Sequence, residues 1–150
     1  MSKYKYGVQF LKGDVIGKGS SRRVYQSRLF PNLVVKEARR PEFRGLNLQE
    51  AAMWNHAAPS MRRYLARVVD VSPDGQYLLM ERTEPISKKL HSTTLIPNAL
   101  LWDSHSGNTG RGVISGNIVF HDYAQNYESN PVQDWFPKTC SLEELDYPRF

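Results

Sequence analysis

Turn-forming residues cut the first eighty positions into segments so short that only strands and a single helix fit between them. Residues 8–16, 23–28 and 33–36 read as three strands, separated by Gly17-Lys18-Gly19-Ser20-Ser21 and by Phe30-Pro31-Asn32. Residues 44–58 read as the helix. There Leu46, Leu48, Ala51, Ala52 and Trp54 recur near helical spacing, and Pro59 closes the run. Residues 64–71 and 76–81 then read as two more strands joined by Ser72-Pro73-Asp74-Gly75, in which proline presets φ and glycine accepts positive φ. The expected class is α+β, opening as a β-meander whose five strands and one helix are complete by residue 83.

The remainder is less regular. Residues 83–97 are polar and aperiodic, which suggests a linker with a short helix around 86–91 and divides the chain into 1–83 and 84–150. Two apolar stretches, 99–102 and 113–120, flank the polar run Asp103-Ser104-His105-Ser106-Gly107-Asn108, so a loop followed by a hairpin is expected. In the tail, Ser141 and Glu144 have the spacing of a capping box and predict a short helix over 141–145. Trp135, Phe136, Tyr147 and Phe150 are expected to pack back beneath the polar loop.

Composition excludes several classes. The single cysteine, Cys140, rules out an intramolecular disulfide framework, and no basic start is followed by an apolar leader segment, so a cytoplasmic protein is expected. Apolar runs such as 78–80 and 95–102 fall far short of the roughly 18 residues that span a bilayer, so no membrane partner is expected. His56, His91, His105, His121 and Cys140 form no ligand-spaced set for a transition metal. Twenty Lys and Arg against 15 Asp and Glu give a formal charge of +5, which suits an anionic partner: a nucleotide, an acidic protein or a nucleic acid. Beside the charge, the alternation Tyr4-Lys5-Tyr6 favours nucleic acid, as a stacking platform.

Three local features carry chemistry. Gly17 and Gly19, with Ser20 between the first two strands and Val24 beyond, suit a lid whose uncovered backbone approaches phosphates; they equally suit a plain hairpin turn. Lys36 ends an apolar strand, where it is either a solvated edge residue or a cation held for phosphate. Glu50, in the middle of the helix, is the carboxylate that could pair with it. No Walker-type G-x-x-x-x-G-K-[ST] occurs.

The segment Asp103-Ser104-His105-Ser106-Gly107-Asn108, followed by Asp122-Tyr123-Ala124, resembles the catalytic loop and metal-binding motif of the protein-kinase-like superfamily. Its D-x-H-x-G-N form looks closer to that of atypical and small-molecule kinases, and of the short Ser/Thr kinases of tailed bacteriophages, than to that of eukaryotic kinases. The resemblance runs from about Val8 to Ala124 and takes in Gly17, Gly19, Lys36, Glu50 and the hinge-like Met80-Glu81-Arg82-Thr83. It implies a kinase-like fold, with a five-stranded antiparallel first lobe carrying one helix and a strongly reduced second lobe. It implies ATP and Mg²⁺ as cofactors, with Asp103 accepting the proton of the attacking hydroxyl, Asn108 and Asp122 holding the metal, and Lys36, positioned by Glu50, pairing phosphates. Gly17, Gly19, Ser20, Val24, Lys36, Glu81 and Thr83 would line the nucleotide.

The chain departs from the family pattern in three places. Arg22 stands where the third loop glycine would fall, Leu101-Trp102 replaces the usual His-Arg before the catalytic aspartate, and only 21 residues separate Glu81 from Asp103, too few for two substantial helices. Support for the catalytic loop is then expected from the tail, a second copy of the chain or a partner protein. Two functions follow. One is a minimal kinase acting on a protein Ser or Thr or on itself; the other is a kinase-derived pseudokinase or phage effector that works by binding a host protein in the host cytoplasm. A basic nucleic-acid-binding domain is the third.

Overall fold

The structure is a computed structural model that describes residues 7–93, 95–97, 108–124 and 139–141. Two compact units divide the chain. One comprises Met1–Ala52 and Arg67–Arg82, the other Met53–Ala66 and Thr83–Phe150.

The first unit is an antiparallel five-stranded sheet of β1 (Lys12–Lys18), β2 (Arg22–Ser27), β3 (Leu33–Ala38), β4 (Val68–Val71) and β5 (Tyr77–Glu81), in the order β1-β2-β3-β5-β4. The expected α+β class with a five-stranded antiparallel sheet is what the structure has. Cross-strand partners share a face, so Val24, Lys36 and Leu78 form one row and Tyr25, Val35 and Leu79 the next, on the opposite face. Central β3 is buried on both sides, from Leu33 through Lys36.

Boundaries differ where another interaction outcompetes the strand pattern. Residues 8–11, expected as strand, form a 3-10 turn, Val8–Leu11, because Val8 and Leu11 are three apart and both turn inward. They pack with Tyr25, Leu33, Val35 and Leu79 on one face of the sheet. The expected strand 64–71 shortens to Val68–Val71, and Leu65 instead makes a parallel bridge to Phe120 within the second unit.

The helix α1 runs Arg44–His56, two residues short of the expected end. Ala58, preceding Pro59, is forced to extended backbone, φ −62° and ψ 153°, and Pro59 then opens the short α2, Pro59–Arg62. The helix face also differs from expectation. Ala51 is buried as expected, but Leu48 is exposed, and Asn47, Glu50 and Met53, outside the expected set, are buried.

In the second unit, β6 (Thr83–Glu84), β8 (Thr109–Gly112) and β9 (Ile118–Phe120) form a three-stranded sheet in the order β6-β8-β9, and β7 (Leu95–Pro97) pairs with β10 (Thr139–Ser141). The expected linker thus holds two short strands and the helix α3, Lys88–Thr93. Ser141, expected to cap a helix, lies in β10 opposite Leu95. Residues 99–102 and 142–145, Tyr4 to Tyr6, and Trp135, Phe136, Tyr147 and Phe150 lie outside the described residues. No helix among the described residues is long and apolar enough to cross a membrane.

Candidate functional site

The first unit carries three buried charges in direct contact. Lys36 Nζ donates to Glu50 Oε1 at 2.9 Å, and Arg22 donates to both carboxylate oxygens, Nη1 to Oε1 at 2.7 Å and Nη2 to Oε2 at 2.9 Å. Glu50 is fully buried, and the Arg22 and Lys36 side chains are each 6% exposed. The strand register explains the meeting. Arg22 and Val24 are two apart on β2, and Val24 faces Lys36 on β3, so all three occupy the α1 side of the sheet. Asn47, one turn before Glu50 on α1, completes the cluster. Its Oδ1 accepts Arg22 Nη1 at 3.0 Å, and its Nδ2 donates to the Lys36 and Gly75 carbonyls at 3.2 and 2.9 Å.

Sequence reasoning paired Lys36 with Glu50 but missed Arg22 and Asn47. The available signals were a polar residue three positions before the helix carboxylate and an arginine two positions before Val24.

Burial alone pushes the Glu50 carboxyl up, but the Arg22 and Lys36 charges and their hydrogen bonds outweigh it and hold Glu50 well below the usual carboxylate range. The sign follows from a depressed folded value. The stabilisation is complete above the ordinary 4.5 and is lost as pH falls below it, through the folded value. Glu37 and Asp74, also held low, contribute in the same direction. Urea denaturation at about pH 6 and about pH 3 is expected to show a clear drop in stability at the lower value. A flat profile would mean that the buried ion cluster does not form in solution.

The glycine loop is more ordinary than expected. Gly17 lies inside β1 opposite Val24, and neither Gly17 nor Gly19 has positive φ. The Gly19 amide does not face outward: it donates to the Arg22 carbonyl at 2.8 Å. Arg39 pins the same loop, its Nη1 donating to the Gly19 carbonyl at 2.8 Å and its backbone N–H to the Ser21 carbonyl at 2.9 Å. Ser20 is exposed at the tip, and Val24 is half-buried. Ile16, not among the expected site residues, is an exposed apolar side chain next to Gly17.

Glu81, expected at the nucleotide, turns into its own sheet. It is 1% exposed, and its carboxylate accepts the Arg67 N–H at 3.2 Å while its own N–H donates to the Arg67 carbonyl at 2.8 Å. A cleft of about 580 Å³ elsewhere on β1 and β2, lined by Lys12, Asp14, Gln26 and Arg28, includes none of the expected site residues.

In the second unit, Thr83 opens β6 opposite Gly112. The β8–β9 hairpin brings the two expected metal ligands to one end: Thr109 pairs with Phe120, the His121 N–H donates to the Asn108 carbonyl at 2.9 Å, and Asp122 follows directly. Tyr123 anchors this end. It is fully buried and its hydroxyl donates to the Ala66 carbonyl at 3.0 Å. Asn108 and Asp122 offer only oxygen donors, as Mg²⁺ requires, and Mg²⁺ characteristically takes one or two protein ligands and completes its shell with water and phosphate. Asp103 lies outside the described residues. No protein-family model matches this chain, and no curated protein matches its sequence.

Proposed function

We propose that this chain is a minimal kinase-like protein that binds Mg-ATP and transfers the γ-phosphate to a protein Ser or Thr, or to itself. The observation that carries the reading is Lys36, an ammonium buried on the central strand of an antiparallel sheet ordered β1-β2-β3-β5-β4 and bonded to a helix carboxylate. A second comes from the hairpin that sets Asn108 beside His121 and Asp122.

In this reading Lys36 pairs the phosphates, Val24 and Ile16 supply apolar contact for the base, and Asn108 and Asp122 hold Mg²⁺, which neutralises charge on the phosphates when bound. Asp103 takes the hydroxyl proton as the acceptor oxygen bonds to the γ-phosphorus and the bond to the β-phosphate oxygen breaks, releasing ADP. The engaged Gly19 amide and the pinned loop favour a second reading, a scaffold of the same fold that acts by binding a protein partner.

The thermal midpoints of the wild type and Asp122→Asn, with and without Mg-ATP, followed by transfer of labelled γ-phosphate, separate these. At a hundredfold excess over the dissociation constant, linkage of about 2.7 kcal/mol is expected for the wild type, a rise of roughly 5–10 °C. Asp122→Asn should rise far less. No rise in the wild type sinks the nucleotide reading; a rise without label transfer selects the scaffold.

A further inference from the structure

We propose that Arg22 is a positioning residue that holds Glu50 by itself, so that Lys36 is spared for an anionic ligand. The assignment of that ligand as Mg-ATP rests on the reading above; the clamp does not. The guanidinium fork matches the carboxylate, with one nitrogen on each oxygen at 2.7 and 2.9 Å. On Glu50, the Lys36 ammonium bonds Oε1, an oxygen that Arg22 also bonds. Moving the ammonium away leaves a donor on each carboxylate oxygen, whereas removing Arg22 takes away two of these three bonds. The Arg22 side chain also bonds Asn47, so it fastens two successive turns of α1 to β2, while the Lys36 side chain bonds Glu50 and its backbone carbonyl accepts from Asn47.

The chemistry of the two cations agrees with this division. Arginine is a rigid planar fork that loses little freedom when clamped; lysine is a point charge on a flexible stem that re-aims readily. Arg22 occupies the position where a third glycine would complete G-x-G-x-x-G. A loop position that would otherwise carry no side chain has become the tether of the helix. Because Arg22 lies in the same short strand as Val24, the tether fixes the lid strand and the helix to each other.

Thermal midpoints without nucleotide test the clamp. Arg22→Met is expected to fall by about 10 °C, the range for breaking a buried ion pair from one side in a chain of this size, and Lys36→Met by no more than about 3 °C. Should Arg22→Met fail to fold, Arg22→Lys reports the same order with a smaller drop, since one ammonium cannot serve both oxygens. Titration with Mg-ATP tests the division of labour. Lys36→Met is expected to weaken binding at least about tenfold, and Arg22→Lys by less than about threefold. An equal midpoint loss for the two methionine variants overturns the clamp, as does an affinity loss for Arg22→Lys that matches Lys36→Met. If the wild type binds no Mg-ATP, the nucleotide reading fails, and the midpoint order alone upholds or overturns the role of Arg22.

Discussion

Glu50→Ala is expected to lower stability by about 3–5 kcal/mol, a large share of the roughly 5–15 kcal/mol that holds a domain together. The carboxylate is fully buried, and its removal leaves a guanidinium and an ammonium, each 6% exposed, without the anion between them. Both cations lie on the face of the sheet against which α1 packs, so each must shift to regain water. Urea denaturation of the wild type, Glu50→Ala and Glu50→Gln measures the loss, with the amide expected to fall between because it keeps an acceptor and loses the charge. Replacing all three charges by Met, Met and Leu should recover most of the stability, since a buried ion cluster contributes little relative to an apolar core of the same volume. A loss below about 1 kcal/mol for Glu50→Ala would show that the cluster is not desolvated in solution.

Gly75→Ala carries the second large effect, about 3 kcal/mol. Gly75 has φ +80°, where a side chain costs about 1–2 kcal/mol, and a Cβ there would also run into the Arg44 carbonyl oxygen and come within 2.8 Å of Leu48 Cγ. Ser72 and Asp74 keep the turn from relaxing: the Ser72 hydroxyl donates to Asp74 at 2.9 Å, and the same Asp74 oxygen accepts the Gln76 N–H at 3.0 Å. Because the Gly75 carbonyl accepts from Asn47, a shifted turn also pulls on the helix. Gly116→Ala is the internal control. Its φ is +75° but nothing lies within 4 Å of an added Cβ, so only the backbone penalty applies, about 1–2 kcal/mol. Equal losses at the two glycines would mean that the contact between turn and helix is absent.

The sheet and helix of the first unit were legible because their boundaries are written in local chemistry: Phe30-Pro31-Asn32, Ser72-Pro73-Asp74-Gly75 and Pro59 each dictate backbone angles by themselves. The start of β1 was misread because Val8 and Leu11 satisfy a strand pattern and a 3-10 turn alike, and only packing on Tyr25 and Leu79 decides. The two- and three-residue strands of the second unit hold too few residues to show a period, and their partners lie far along the chain. At the candidate site, the pairing of Lys36 with Glu50 could be inferred because both residues were conspicuous in type and position. Arg22 could not, since a pattern that prescribes glycine there says nothing of what an arginine would reach. Leu48 pointed to an apolar helix face, whereas the buried face carries Asn47 and Glu50, whose presence there depends on Arg22.

The chain passes between its two units after Ala52, after Ala66 and after Arg82, so neither unit is a continuous stretch. During synthesis this imposes an order and a delay. The first unit has all its strands once residue 82 has emerged, but Ala66, which donates its N–H to the Phe120 carbonyl and accepts from the Tyr123 hydroxyl 57 positions later, must wait. At about 5–20 residues per second the wait is roughly 3–11 s. Throughout it Leu65, buried in the finished protein, lacks its bridge to Phe120. The vulnerable moment of this protein on the ribosome is therefore the interval in which the strands of the first sheet are all present while residues 64–66 still lack their bonds to Phe120 and Tyr123.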